Sequence, residues 1–179
     1  MSQSQTAYVP FRQSVLAAEA TEERIISAFI ASGCEAHHDG DGDRRDLWIM
    51  HQGVPYWIEV KDETANSGTG NICIERRQGK PARRSGIATS ESQVWIHVFA
   101  DDACVLYRAA KMRDFISTKL VSGILKPPIE RGDNHNMNVL VPIVLFDHYS
   151  WAESCQMSQI AESRVFGRAP AGSFYRSER

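Results

Sequence analysis

Three charged residues, Asp46, Glu59 and Lys61, stand in the order D, twelve residues, then E-x-K. Along a strand side chains alternate, so in WIEVKDE Ile58 and Val60 point one way while Trp57, Glu59 and Lys61 point the other. Charges on a half-buried strand face cost free energy unless they are paired, hydrated or bound to metal. A solvated Glu–Lys pair on an edge strand would contribute under about 1 kcal/mol, but Trp57 on the same face argues for partial burial. Mg²⁺ takes hard oxygen ligands, keeps several waters and needs only one or two carboxylates. Asp46 and Glu59 offer that pair, with the Val60 carbonyl as a candidate third ligand. Lys61 would then lie beside the attacking water, to orient or deprotonate it or to offset charge on a phosphate. The chemistry this suits is phosphodiester hydrolysis.

These residues need elements to hold them. The pattern predicts a helix from about Ser14 to Ser32, with Ile25, Ile26, Phe29 and Ile30 as its apolar stripe and Gly33 as its stop. Thr21 is a candidate N-cap for a shorter version. Glu22 falls near the middle of the stripe, an inward carboxylate that needs explaining, and Glu19 competes with it on the longer helix. HHDGDGDRR reads as an exposed turn. DLWIM and YWIEVK read as strands joined at Gln52-Gly53. A two-residue turn there sets Asp46 opposite Glu59 and Trp48 opposite Trp57. NICIE is a third strand, SGIATSES a short helix, VWIHVF and CVLYRA two further strands. A helix follows from about Ala109 to Leu120, then a short strand VLVPIV. The expected organisation is a polar segment 1–13, one α/β domain 14–150, and a C-terminal helix with a flexible basic tail, 151–179. Trp48, Trp57 and Trp95 are expected in the core.

The order helix with Glu, strand with Asp, strand with E-x-K resembles the PD-(D/E)XK nuclease superfamily, in particular its small phage-type and Holliday-junction-resolvase-like members. EERIISAFIASGCEAHH, DLWI and YWIEVK carry the resemblance, with GNICIE, SGIATSESQVWIHV and GDNHNMNVLVP beyond them, over roughly Glu22 to Pro142. Arg45 stands where the family motif often has proline. The resemblance implies a restriction-endonuclease-like domain, a mixed β-sheet centred on the Asp46–Lys61 hairpin and flanked by helices. It implies a metal-dependent (Mg²⁺ or Mn²⁺) DNA endonuclease with Asp46 and Glu59 as ligands, Lys61 as catalytic lysine and Glu22 as the helix glutamate acting through a water. Glu75, ending NICIE, is a candidate further acid. A junction-cutting member would act as a two-fold homodimer.

Net charge is −2, so any surface for a polyanion must be local. Arg76, Arg77, Lys80, Arg83 and Arg84 form such a patch and are expected to contact phosphates of DNA. Thr89, Ser90 and Gln93 are candidate phosphate contacts at a helix start. Asp39, Asp41 and Asp43 begin like a calcium loop, but Arg44 and Met50 stand where that loop needs glycine and glutamate, so a solvated turn is favoured. The four cysteines lie far apart without zinc spacing, which fits a reducing, cytoplasmic setting, that of a bacterial host if the chain is phage-encoded. No secretory signal, membrane span or small-molecule cofactor is expected. Two rival readings remain: a nuclease-fold protein that binds nucleic acid without cutting it, and a regulatory protein that binds a partner through its acidic surface.

Overall fold

In a computed structural model of the chain, the described residues are 11–40, 45–64, 69–131 and 135–167. Helix α1 (Phe11–Ala31) opens the fold. It runs straight through Thr21, which is therefore no cap; its buried hydroxyl donates to Asp62 Oδ2 at 3.1 Å. Ile25, Ile26 and Phe29 are buried, whereas Ile30 turns to solvent. The helix stops as expected at Gly33, whose φ of 81° suits glycine and whose amide donates to the Ile30 carbonyl.

Strands β1 (Glu35–His38), β2 (Leu47–His51) and β3 (Val54–Asp62) form an antiparallel meander. The expected register holds: Leu47 faces Ile58 and Trp48 faces Trp57, around a turn in which Gln52 and Gly53 both have positive φ. The stretch HH, expected in an exposed turn, instead ends β1; residues 41–44 of that stretch lie outside the described ones. β4 (Asn71–Gln78) and β5 (Arg83–Arg84) follow, then β6 (Val94–Val98), β7 (Ala103–Arg108), α2 (Ala109–Val121), β8 (Ile129–Arg131), β9 (Asn136–Pro142) and β10 (Ala152–Gln156).

The fold class is α/β. One six-stranded sheet has the order β1-β2-β3-β6-β7-β10, antiparallel except for the parallel pair β3–β6, so it is mixed. β4 and β9, expected in that sheet, belong to a second, four-stranded one, β5-β4-β9-β8. The reason lies in their alternation. Ile72, Ile74, Val139 and Val141 form one apolar face, which packs with α2 against Trp95, Val105 and Tyr107 of the first sheet. The other face of the first sheet carries Leu47, Ile49, Ile58, Val60 and Ile96 and is covered by α1.

The segment after Ser150, expected as a helix, adds strand β10 beside β7 and then two short 3-10 turns. Met157, Ile160, Val165 and Phe166 are buried in the α1 core, with Phe166 edge-on to Phe29 at 5.4 Å. Pairing with the edge of β7 gives Ala152–Gln156 their backbone partners, so that stretch becomes a strand and the apolar residues after it turn back over α1. Residues 168–179, the expected tail, lie outside the described ones. SGIATSES yields a single 3-10 turn, Gly86–Ala88, in place of a helix. Among the described residues no helix is long and apolar enough to cross a membrane.

Candidate active site

Strand β3 explains its own charges. Tyr56, Ile58 and Val60 point into the α1 core, and Trp57, Glu59 and Lys61 onto the opposite face. Asp46 sits just before β2, its amide donating to the Ile58 carbonyl at 3.1 Å. Its carboxylate reaches across the hairpin, Oδ2 accepting from the Val60 amide at 2.7 Å. Lys61 Nζ donates to Glu59 Oε1 at 2.6 Å and lies 5.3 Å from the centre of the Trp95 ring. Ser92 Oγ donates to Glu59 Oε2 at the long distance of 3.5 Å.

Glu22 joins this group from α1, while Glu19 is exposed. The Glu22 side chain is 18% exposed, and His38 Nδ1 approaches its Oε2 at 3.1 Å while His38 Nε2 lies 2.9 Å from Glu23 Oε1. His38 is a neighbour that the sequence did not reveal, because reading HHD as a turn removed it from the β1 edge. Glu75, on β4, borders the group from the second sheet and accepts a hydrogen bond from Ser85.

The charges feel one another. Burial raises the Glu22 pKa, and the Asp46 charge raises it further. Burial likewise raises that of Glu59, with Asp46 adding to it against the pull of Lys61. Lys61 is the reverse case: burial alone would lower its pKa, but Glu59, Asp46 and Glu75 more than offset that and it is raised. The result is an excess of carboxylate around one ammonium.

Such a donor set fits a divalent cation with hard-oxygen preference. Among the described residues no three His, Cys, Asp or Glu side chains converge as a metal cluster, so the fit is to two carboxylates with waters filling the remaining positions. The Val60 side chain is in the core and its amide donates to Asp46, one peptide unit before its own carbonyl.

The basic patch is divided. Arg76 and Arg77 lie in the last part of β4, Lys80 lies in the following turn, and Arg83 and Arg84 form β5. Arg76, Arg77 and Arg84 line one pocket together with Arg113 of α2, a residue the sequence pattern gave no reason to single out. Lys80 and Arg83 line a separate, more open hollow with His135. Thr89, Ser90 and Gln93 are engaged internally. Thr89 donates to the Gly86 carbonyl, Ser90 accepts from the Trp95 indole, and Gln93 accepts from the Trp57 amide. Of the tryptophans expected in the core, Trp95 is buried, but Trp48 and Trp57 are half-exposed.

No family model matches the chain, and no curated protein matches it. Among solved structures, a bacterial homing endonuclease, I-Ssp6803I, is similar with a TM-score of 0.45 and 14% identity, over 54% of this chain and 70% of that one. A likeness at that level carries no argument about activity.

Proposed function

We propose that the protein is a metal-dependent endonuclease of PD-(D/E)XK type that hydrolyses phosphodiester bonds in DNA. One observation carries the reading: Asp46 and Glu59, with twelve residues between them in the chain, meet across the β2–β3 hairpin with Lys61 hydrogen-bonded to Glu59 at 2.6 Å. Asp46 and Glu59 would hold Mg²⁺ or Mn²⁺, with the Val60 carbonyl beside them. When bound, such an ion supplies charge neutralisation at the phosphate and a lowered pKa for water.

The remaining roles belong to the chain itself. Lys61 keeps its proton, since its carboxylate neighbours raise its pKa, and so serves as a charged donor toward the phosphate or the attacking water. Glu22, held by His38, presents a carboxyl whose affinity for a proton is increased by burial, which suits a group that accepts one from water. Arg76, Arg77 and Arg84 would take the flanking phosphates.

Labelled linear duplex, single-stranded and four-way-junction DNA, each with Mg²⁺, Mn²⁺ or EDTA, test this beside Lys61→Ala and Glu59→Gln. Metal-dependent cutting that falls by about a hundredfold or more in both variants is expected. Preference for the junction would mark a resolvase, acting as a dimer. Salt-sensitive binding without cutting, unchanged in either variant, would leave a binding protein and remove the catalytic roles.

A further inference from the structure

Among the described residues, the core under the second sheet does not reach the outer half of the first sheet's second face. The second sheet and α2 pack against β6 and β7, and no residue of β1, β2 or β3 contributes to that core. Across those three strands runs a single row of rings: His37 is the register partner of Trp48, and Trp48 of Trp57. His37 stacks on Trp48 with centroids 4.7 Å apart and planes 18° from parallel. The Arg45 guanidinium lies 5.1 Å over the Trp57 ring. His37 is exposed, and Trp48, Trp57 and Arg45 are half-exposed. The row begins two residues before Glu59 on the same strand face, about 7 Å along β3.

We propose that this shelf binds unpaired nucleobases, so that the nucleic acid accepted by the site is single-stranded where it crosses β1–β3; the inference rests on the nuclease reading of the neighbouring carboxylates. Three features favour this occupant. Partly exposed aromatic rings beside charged groups match a ligand that is flat and apolar in its bases but anionic in its backbone. The planes presented, an imidazole on an indole and a guanidinium on an indole, are the kinds on which bases stack. Both nearby cations stand at the Trp57 end of the row, Arg45 over the Trp57 ring and ion-paired with Asp39 at 2.7 Å, and Lys61 further along β3; β4 then runs from Glu75, beside Lys61, directly into Arg76 and Arg77 of the arginine-lined pocket. A duplex keeps its base faces inside its own stack and would offer the rings nothing.

The test is binding in EDTA, where cleavage cannot interfere. Anisotropy of a labelled DNA strand and of a hairpin duplex of equal length would be measured at one salt concentration for the whole chain. His37→Ala, Trp48→Ala and the conservative Trp48→Phe would be compared, their folding checked by circular dichroism. The single strand should bind about tenfold or more tightly than the duplex. His37→Ala and Trp48→Ala should each weaken it by about five- to 150-fold, Trp48→Phe should retain most of the affinity, and duplex binding should hold constant. An RNA strand of the same sequence that binds equally would support recognition of the bases alone. Equal affinity for strand and duplex, or no change in His37→Ala and Trp48→Ala, would overturn the proposal, even where Lys61→Ala abolishes cutting. So would a concentration-dependent dimer that His37→Ala or Trp48→Phe dissociates, which would make the shelf a contact between two copies. Single-strand preference lost with the rings supports it whether or not any strand is cut, so failure of the catalytic reading is separately visible.

Discussion

At the scale of the residue, Glu22 and Glu59 are carboxyls whose affinity for a proton is raised by burial and by the Asp46 charge. A raised native pKa means that the folded state binds more protons than the unfolded one between the ordinary value of 4.5 and the raised one. Stability contributed by Glu22 is therefore present below pH 4.5 and lost as pH rises through the native value. Without divalent ions, Glu22→Gln should melt above the wild type at pH 7, with the gap closing below pH 4.5 in a series of thermal melts. On the proposed reading a bound cation would reverse this, because it would compensate the excess charge. Mg²⁺ at a hundred times its Kd should stabilise the wild type by about 2.7 kcal/mol, roughly 5–10 °C, and Glu59→Gln much less. An equal shift in both would remove Glu59 from the metal site.

Two elements meet behind the site, and each carries a polar device. His97 on β6 is wholly buried, its Nδ1 3.0 Å from Glu63 Oε1 and its Nε2 2.8 Å from the Tyr107 hydroxyl. Burial lowers its pKa, so it is neutral, donating from Nδ1 to Glu63 and accepting from the Tyr107 O–H. Below its ordinary value of 6.5 the unfolded chain takes up a proton that the native one refuses, and stability falls with pH from there. Chemical denaturation between pH 7 and 5 should show that slope in the wild type and lose it in His97→Gln, even though the variant is less stable throughout. Gly86 is the second device. Its φ is 52° and an added Cβ would stand 2.5 Å from the Glu75 carbonyl oxygen, so the turn lies directly on β4. Gly86→Ala should cost about 1–3 kcal/mol by denaturant titration. The loss should include the Ser85–Glu75 hydrogen bond that borders Lys61.

For the whole molecule, two cores share the six-stranded sheet, one under α1 and one under the second sheet. The C-terminal segment is an integral part of the first. Tyr56 donates to the Phe166 carbonyl, and the Phe166 ring packs 5.2 Å from that of Tyr56. Phe166→Ala should therefore destabilise the protein by about 3–5 kcal/mol. A value under about 1 kcal/mol in equilibrium unfolding would mean that residues 157–166 are an appendage. The two covers are of unequal length: among the described residues, no side chain of β1, β2 or β3 joins the core under the second sheet.

The sequence by itself determined the local parts of this site. Period-two alternation in YWIEVK and the turn signal at Gln52-Gly53 set the hairpin register, and the register alone brings Asp46 to Glu59 and Lys61. Helical spacing likewise placed Ile25, Ile26, Phe29 and the inward Glu22, and the Gly33 stop. Tertiary structure decided whatever depended on residues distant in the chain. NICIE and VLVPIV have the same alternation whichever sheet they join, and only the packing of Ile72 and Ile74 against Trp95 and Tyr107 chose a second sheet. The short β1 and β10 carry too few apolar residues to signal a strand, and each is fixed by a neighbour's free edge. Trp48 and Trp57 look like core residues in any linear pattern. They stay half-exposed because the layer that buries Trp95 does not extend far enough to cover them.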